Sequence, residues 1–317
     1  MQELLNIALF VAGLVMIIKG ADWVTEYGSR LAKSIGVSEL VIGLTLVALA
    51  TSLPELSVSV ISAFSGVAEI ATGTIIGSNV SNIALILGIA AFISPMAIQK
   101  RYINQGLVTL GFSLLVAIML VGGLEWFEGS LLLLLFIGYM VYSLKHRKEV
   151  GEKFSANTES GGFKRTKKGS NNAWKYGIYC VIGGLFVVLG ATLMVDSTVS
   201  IAEWAGVPEM VIAIIVIGVG TSLPELATSV TAAFKKMPGI SIGNIAGSNI
   251  FNIAILGLTS LASAVPVTAH LMSIDIPVMV ALTVLLLLFM RTGWNLSRKE
   301  GLVLLAIYAA FVYLQFV

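Results

Sequence analysis

The amino-acid sequence predicts an all-α polytopic membrane protein whose ten transmembrane helices form two inverted five-helix repeats. The first observation behind this prediction is composition: 57% of the 317 residues are hydrophobic and only 11% are charged, against about 25% charged residues in a soluble domain. The second is a duplicated segment, and the third is the placement of lysine and arginine between the hydrophobic runs. Together they define the number, the grouping and the orientation of the helices.

The composition places the bulk of the chain in lipid. Its mean hydropathy is +0.97, and hydrophobic runs long enough for a membrane helix of about 20 residues recur along the whole length. No sizeable soluble domain fits in what remains. The single cysteine, Cys180, excludes an internal disulfide and is interpreted as a small packing residue. The start of the chain lacks the basic region of a signal peptide, so we expect the first run to be a retained helix.

A polar segment that interrupts one hydrophobic run occurs twice in identical form. Thr51-Ser-Leu-Pro-Glu55 is repeated 170 residues later as Thr221-Ser-Leu-Pro-Glu225. The same offset relates, without a gap, Gly36-Val37 to Gly206-Val207, Glu39 to Glu209, Gly73 to Gly243, Gly77-Ser78-Asn79 to Gly247-Ser248-Asn249, and Asn82-Ile83-Ala84 to Asn252-Ile253-Ala254. A register kept over about fifty residues indicates a duplication.

Ten hydrophobic runs follow one another along the chain. They cover residues 4–35, 39–64, 69–95, 104–122, 128–144, 175–204, 209–234, 239–264, 271–290 and 300–316. Between the fifth and the sixth run lies a hydrophilic segment rich in Lys, Ser and Gly, which is interpreted as a flexible linker. The sequence therefore predicts a first five-helix repeat over 1–144, a basic linker over 145–174 and a second five-helix repeat over 175–317.

The basic residues predict the orientation of these helices. If the linker is cytoplasmic, every other connection should be basic. The connections that then face the cytoplasm hold Arg30 and Lys33, Lys100 and Arg101, the linker residues, Lys235 and Lys236, and Arg291, Arg298 and Lys299. Both chain termini are predicted to lie outside. Because five is an odd number, the second repeat is inverted relative to the first, a plan that places a transporter's substrate site near the midplane.

Two acidic residues lie in the middle of predicted spans. A charge there costs about 2.5–3.5 kcal/mol or more, so Glu55 and Glu225 are expected to face a cavity, a partner or an ion. Pro54 and Pro224 precede them and lack an N–H, which frees backbone carbonyls one turn earlier. A bilayer tolerates such a break where the backbone lines a cavity. A single proline would indicate only a kink, but its duplication beside a glutamate favours a site.

The next run of each repeat supplies amide side chains at matching positions. If the halves meet head to head, Glu55, Asn82, Glu225 and Asn252 form an oxygen cage whose two carboxylates neutralise a divalent cation. Such ligands suit Ca²⁺, whereas Mg²⁺ demands a tighter octahedron and softer metals favour His, Cys or Met. The same carboxylates could hold Na⁺ ions or protons instead. Mutually exclusive occupation is the physical basis of exchange.

Several alternatives stay open at this point. Asn79 and Asn249 serve equally well as ligands or as interhelical hydrogen bonders. The basic linker is a topology signal or, in addition, a segment that binds anionic lipid. In a channel the cage would act as a selectivity filter, whereas inverted repeats with broken helices favour alternating access. An intramembrane enzyme or an ATP-driven pump is disfavoured, because no zinc motif, Ser-Lys or Ser-His arrangement or phosphate-binding loop is present.

On these motifs the chain resembles the Ca²⁺/cation antiporter superfamily. The resemblance is carried by Ala-Thr-Ser-Leu-Pro-Glu at 50–55, Gly-Thr-Ser-Leu-Pro-Glu at 220–225, and Gly-Ser-Asn-x-x-Asn at 77–82 and 247–252. They lie in two alpha repeats, at roughly 39–88 and 209–258. The chain looks most like the Na⁺/Ca²⁺ exchanger branch and its prokaryotic relatives, because neither repeat shows the Gly-Asn-x-x-Glu pattern of the H⁺/Ca²⁺ branch.

The resemblance implies ion ligands at the matching positions. It implies a Ca²⁺ site made by Glu55 and Glu225, the carbonyls of Thr51 and Thr221, and the amides of Asn82 and Asn252. It implies Na⁺ positions on either side, made by Ser52, Ser222, Ser78 and Ser248 with the carbonyls of Ala48 and Gly218. Two positions depart from the family pattern. Asn252 stands where some K⁺-dependent members have Asp, which disfavours K⁺ dependence, and Ala50 replaces the usual glycine.

The function that the resemblance implies is secondary active exchange of Na⁺ for Ca²⁺ across the cell membrane. Antiport of Ca²⁺ or another cation against H⁺ is the alternative, and a cation channel is a weaker one. Gating is expected from sliding of the long first and sixth helices against the repeat core. The expected partners are Ca²⁺, Na⁺ or H⁺, and the lipid bilayer. No cofactor, enzymatic activity, nucleic acid or protein partner is expected.

Overall fold

The computed structural model describes residues 2–66, 68–145, 172–204 and 220–315. Its helices in the first repeat are α1 (Gln2–Ile35), α2 (Glu39–Thr51), α3 (Leu53–Phe64), α4 (Ala68–Ile93), α5 (Lys100–Gly122) and α6 (Trp126–Lys145). The first five predicted runs coincide with these helices, with α2 and α3 together forming the second. Most of the basic linker, with His146, lies outside the described residues.

The second repeat contributes a matching series of helices to the described part of the chain. They are α7 (Ala173–Trp204), α8 (Leu223–Phe234), α9 (Pro238–Ala262), α10 (Leu271–Arg291) and α11 (Arg298–Leu314). Much of the predicted seventh run, with Glu209 and Gly218, lies outside the described residues. Within the described ranges, seven helices are long and apolar enough to cross a membrane, or eight when α2 and α3 count as one. α11 has 17 residues, at the short end of the crossing lengths of about 17–25 residues.

The second span is broken at the duplicated motif, as its proline predicts. α2 and α3 meet at an angle of 48°. Ser52 joins them with φ −86° and ψ 16°, and Pro54 falls in the first turn of α3, where its missing N–H leaves no helical bond unmade. The break thus exposes the end of one short helix and the start of another inside the fold.

Three of the helices listed above contain π-helical segments that the sequence analysis did not predict. They are Gly43–Val47 in α2, Asn82–Leu87 in α4 and Leu271–Asp275 at the start of α10. A π-helical turn inserts an extra residue into the backbone spiral and often marks a functional position. Here the second one begins at Asn82, a predicted ligand.

The packing of α1 against α7 demonstrates the inversion of the repeats. A Cβ atom built on Gly13 would lie 2.7 Å from the carbonyl oxygen of Gly190, and one built on Gly20 would lie 2.6 Å from that of Gly183. Residue numbers rise along α1 as they fall along α7, so the first helices of the two repeats are antiparallel. Only glycine allows backbones to approach this closely.

α4 and α9 form the centre of the molecule. In the most apolar stretch of each, 78% of the residues are buried, against 17% to 39% in the other candidate spans. α9 also runs parallel to α2, since Gly243 approaches Gly43 and Gly247 approaches Leu44. The other helices face the surroundings with many apolar side chains, while the two Gly-Ser-Asn-x-x-Asn motifs lie on the central helices.

Two short backbone pairings join connections from opposite repeats, a β component that the all-α prediction did not include. β1 (Met96–Ala97) pairs antiparallel with β2 (Asn295–Leu296), and Leu124 forms a bridge with Val265. The charge pattern places both partners of the first pair on the linker side and both partners of the second on the opposite side. Each pairing is therefore consistent with the predicted alternation of the connections.

Candidate ion-binding site

The two repeated glutamates occupy equivalent places at the two helix breaks. Glu55 lies in the first turn of α3 and Glu225 in the first turn of α8. Ser222 adopts φ −88° and ψ 2°, close to the values of Ser52, so the two breaks share one backbone geometry. Both glutamate side chains are completely buried. A carboxylate near the start of a helix is favoured by the helix dipole.

Four serines join these glutamates across the interface between the repeats. Ser78 Oγ donates to Glu55 Oε1 at 2.9 Å and lies 3.0 Å from Ser222 Oγ. We call Glu55, Ser78 and Ser222 the Glu55 cluster. In the opposite arrangement Ser52 Oγ donates to Glu225 Oε1 at 2.9 Å and lies 3.0 Å from Ser248 Oγ. We call Glu225, Ser248 and Ser52 the Glu225 cluster.

Four asparagines lie where α4 crosses α9. Asn82 Nδ2 donates to Asn249 Oδ1 at 2.8 Å, and Asn252 Nδ2 donates to Asn79 Oδ1 at 3.0 Å. Asn79 and Asn249 each donate in turn to the backbone carbonyl of the other at 3.3 Å. The structure therefore resolves the alternative left open above: Asn79 and Asn249 are interhelical hydrogen bonders that orient the other two amides.

The predicted oxygen cage corresponds to a specific set of unpartnered atoms. Glu55 Oε2, Glu225 Oε2, Asn82 Oδ1 and Asn252 Oδ1 are all buried and have no hydrogen-bond partner within the described residues. Each such acceptor costs about 1–3 kcal/mol. Every one belongs to a side chain whose other polar atom is engaged by a neighbour. These are the expected properties of oxygens kept free for a cation.

The chemistry of this donor set favours a hard cation. No group of three or more His, Cys, Asp or Glu side chains occurs in the described residues, so a soft-metal site of that type is not formed there. Two carboxylates with amide and hydroxyl oxygens are ligands that suit Ca²⁺, and each carboxylate with its serines also suits a monovalent cation. Repulsion between Glu55 and Glu225 further favours the binding of positive charge between them.

The remaining predicted ligands differ in how they are placed. Thr51 is buried beside the Glu225 cluster, whereas Thr221 is only partly buried. The carbonyl of Ala48 accepts from Ser52 N at 3.0 Å and from Thr51 Oγ1 at 3.3 Å, so its lone pairs are engaged within the helix. Gly218 lies outside the described residues.

Ala50, which departs from the resemblance, has a packing partner. A Cβ atom built on Gly184 of α7 would lie 2.8 Å from the Ala50 methyl group. The methyl group therefore fills the space that a glycine leaves on the neighbouring helix. Gly220, the counterpart of Ala50, instead faces Val195 of α7.

Comparison with known proteins identifies the family of this chain. The family model described as "Sodium/calcium exchanger protein" matches residues 5–145 and 175–317. The sodium/calcium exchanger MaX1 of Methanosarcina acetivorans is 34% identical over 98% of this chain and 98% of its own. The inner membrane protein YrbG of Escherichia coli K12 is 29% identical over 94% of this chain and 91% of its own. The chain belongs to the sodium/calcium exchanger family.

A solved structure extends this sodium/calcium exchanger relationship to the fold. The sodium-calcium exchanger NCX_Mj, soaked with 10 mM Na⁺ and zero Ca²⁺, superposes with a TM-score of 0.85 at 32% identity. The match covers 98% of this chain and 99% of that one. It confirms the predicted Na⁺/Ca²⁺ exchanger branch of the Ca²⁺/cation antiporter superfamily and the predicted fold class. Members of this family are transporters, so the chain is a membrane transporter.

Sequence reasoning missed two sets of residues in this exchanger. The α1–α7 glycines were detectable, because Gly13 and Gly183, like Gly20 and Gly190, are 170 residues apart. Asn244, which accepts a hydrogen bond from Thr51 at 3.1 Å, could not be found by comparing the repeats. Its counterpart at the same offset is Thr74.

Proposed function

We propose that this protein exchanges Na⁺ for Ca²⁺ across the membrane by alternating access to a site between the two repeats. The observation that carries the proposal is the set of four buried, unpartnered oxygens from Glu55, Glu225, Asn82 and Asn252. Two carboxylates balance the charge of one Ca²⁺, and a flexible arrangement of carboxylate and amide oxygens is a Ca²⁺ environment. The carbonyls of Thr51 and Thr221 complete this coordination.

Na⁺ is proposed to bind at the two clusters on either side. Each cluster combines one carboxylate with two serine hydroxyls, namely Ser78 and Ser222 or Ser248 and Ser52. The carbonyls of Ala48 and Gly218 are proposed to supply further oxygens. For Ala48 this requires a small rearrangement, because its carbonyl already accepts two hydrogen bonds. The Na⁺ and Ca²⁺ positions share both carboxylates, so occupation by one ion excludes the other.

Alternating access requires a part that moves against the ion-binding core. We assign this role to α1 and α7, which pack against each other more extensively than any other pair of helices in the described residues. Their glycine crossings lie at the interface between the repeats. A bridge of 2.5 Å between Lys235 Nζ and Asp22 Oδ1 ties α1 to the end of α8. Sliding of the pair would open the site to one side and then to the other.

The cellular placement is part of the same proposal. We place the protein in the cell membrane, with the basic linker of 145–174 in the cytoplasm and both termini outside. The alternation of basic connections supports this orientation, and the E. coli relative is named an inner membrane protein. We propose that exchange requires no cofactor and no protein partner.

The test is Ca²⁺ uptake into liposomes that contain the purified protein, with a Na⁺ gradient and a pH gradient imposed separately. The proposal predicts uptake that requires internal Na⁺ and is insensitive to the pH gradient. Uptake driven by pH alone would assign the protein to H⁺-coupled exchange. Flux that follows the Ca²⁺ gradient without either would indicate a channel.

Two variants connect this flux to the site. Glu225→Gln should abolish Na⁺-dependent uptake, because it removes one of the two charges that balance Ca²⁺. Glu69→Gln is the matched control, since Glu69 is exposed in the first turn of α4 and loses the same charge. Equal activity of both variants would contradict the assignment.

A further inference from the structure

Three pairs of equivalent residues surround the two clusters without being part of them. The offset of 170 residues relates Thr51 to Thr221, Ser59 to Ser229 and Thr74 to Asn244. Two of the three pairs are identical in sequence. The third exchanges a hydroxyl for an amide, so the environment of the two clusters differs at this one pair.

In the second repeat the amide forms a link between helices. Asn244 Oδ1 accepts from Thr51 Oγ1 at 3.1 Å, and Asn244 Nδ2 donates to Ser229 Oγ at 3.0 Å. Asn244 is completely buried. Because α9 carries Asn244, α2 carries Thr51 and α8 carries Ser229, one side chain fixes three helices around the break at Ser52.

In the first repeat the side chains at the corresponding positions form no such link. Ser59 Oγ and Thr74 Oγ1 are buried and have no hydrogen-bond partner within the described residues. A threonine at position 74 has one polar atom, whereas an asparagine has a donor and an acceptor on a longer side chain. The link that Asn244 makes therefore has no equivalent at Thr74.

The link reaches a proposed ion ligand through Thr51. Thr51 directly precedes Ser52 in the chain. Ser52 Oγ donates to Glu225 Oε1 at 2.9 Å, and Ser248 Oγ lies 3.4 Å from the same oxygen. At the other cluster, Ser78 Oγ donates to Glu55 Oε1. Contacts thus run from Ser229 through Asn244 to Thr51, and from its neighbour Ser52 to Glu225.

We infer that Asn244 is a positioning residue that fixes Thr51, and with it the adjacent Ser52, and so makes the Glu225 cluster the more rigid of the two cation positions. A preorganised site loses less freedom on binding and so binds more tightly. Na⁺ at this cluster relies on Glu225, Ser248 and Ser52 together. Ca²⁺ shares its ligands between both repeats and depends less on this one corner. The ions named here rest on the proposed function.

The experiment measures equilibrium binding of radioactive Ca²⁺ to the purified protein and its displacement by Na⁺. Asn244→Thr, which installs the residue of the first repeat, should raise the Na⁺ concentration for half-displacement by about tenfold and the Ca²⁺ dissociation constant by about threefold. Thr74→Asn, the reciprocal change, should not reproduce this loss. A residue that only packs would reduce the yield of folded protein without shifting Na⁺ relative to Ca²⁺.

A second pair of variants keeps the inference testable even if Asn244→Thr does not fold. Ser229→Ala removes the acceptor for Asn244, whereas Ser59→Ala removes a hydroxyl that has no partner. The first should raise the Na⁺ requirement by about threefold, and the second should leave it unchanged. Equal effects of the two changes would overturn the inference.

The wild-type protein separates this inference from the function on which it rests. If Na⁺ does not displace Ca²⁺ from the wild type, the proposed function fails. The inference is then decided by the Ca²⁺ dissociation constant alone, which Asn244→Thr should raise and Ser59→Ala should not. If Na⁺ displaces Ca²⁺ from the wild type and Asn244→Thr changes neither the Na⁺ requirement nor the Ca²⁺ dissociation constant, the inference alone is overturned.

Discussion

The two repeats agree closely where they hold the proposed ion ligands and differ in what surrounds them. Ser52 and Ser222 share one backbone geometry, and the two clusters make corresponding hydrogen bonds. The helices that carry the amides differ, because Asn82 begins a π-helical segment whereas Asn252 lies in a regular α-helix. The side chains proposed as ion ligands are therefore matched between the repeats, whereas the helices that support them are not. An exchanger with such a site can bind one ion centrally while its two sides respond differently.

Loss of either glutamate should have the largest effect and should be the same in both repeats. Glu55→Gln and Glu225→Gln each leave a single carboxylate to balance two charges. Removing one partner of a buried charge pair costs about 3–5 kcal/mol, so Ca²⁺ transport should fall by at least about 100-fold. The measurement is the initial rate of Na⁺-dependent Ca²⁺ uptake at equal amounts of folded protein. Near-normal exchange by one variant would show that the two glutamates are not equivalent.

Replacement of the amides by carboxylates should show how much each of the two asparagines contributes to ion selectivity. Asn82→Asp and Asn252→Asp each place a third negative charge at an oxygen that has no partner. The preference for Ca²⁺ over Na⁺ should change by about tenfold, because electrostatic coupling at close range is worth about 1.4 kcal/mol or more. The readout is the ratio of half-saturating Na⁺ and Ca²⁺ concentrations. Unchanged selectivity in Asn252→Asp would show that this oxygen does not contribute to selection.

Enlargement of a glycine at the α1–α7 crossing should have an intermediate effect. In Gly20→Ala the new methyl group would lie 2.6 Å from the carbonyl oxygen of Gly183. Overpacking of this kind costs about 1–3 kcal/mol, so thermal stability in detergent should fall and transport should slow. Gly177→Ala on α7 is the control, because its methyl group would meet nothing within 4 Å. Equal melting temperatures for the two variants would contradict the close crossing.

The smallest effect is expected at the start of the last helix of each repeat. α11 begins with a full capping box, in which Ser297 Oγ accepts from Glu300 N at 3.4 Å and Glu300 Oε2 accepts from Ser297 N at 2.6 Å. α6 has only a bond from Glu125 N to Glu128 Oε2. Ser297→Ala should lower stability by about 1 kcal/mol and leave transport unchanged. Ser130→Ala, which removes a partly exposed hydroxyl in α6, should not change the melting temperature.

The sequence predicted those parts of the fold that depend on composition and on repetition. Runs of apolar residues located the helices, and the offset between Glu55 and Glu225 predicted that the two glutamates would occupy equivalent sites. Pro54 predicted the break after Thr51, because a proline has no N–H to donate to the carbonyl one turn earlier. All of these signals are local or are carried by the repeat.

Features that arise from contacts between the repeats could not be predicted in the same way. The π-helical segment at Asn82 leaves no mark in hydropathy. The roles of Asn79 and Asn249 follow from how α4 crosses α9, and the match between Ala50 and Gly184 joins two distant parts of the chain. Asn244 is invisible to the repeat because its counterpart is a different residue. Residues 205–219 lie outside the described part, so Gly218 stays a prediction.

The proposed function requires that one Ca²⁺ binds between the repeats at the four unpartnered oxygens. The most direct measurement is a crystal structure of the protein grown with Ca²⁺ and without Na⁺, with the ion located by anomalous diffraction. We expect one ion at about 2.3–2.6 Å from oxygens of both Glu55 and Glu225, with Asn82 and Asn252 completing the site. An ion bound to only one of the two glutamates, or located away from both, would contradict it.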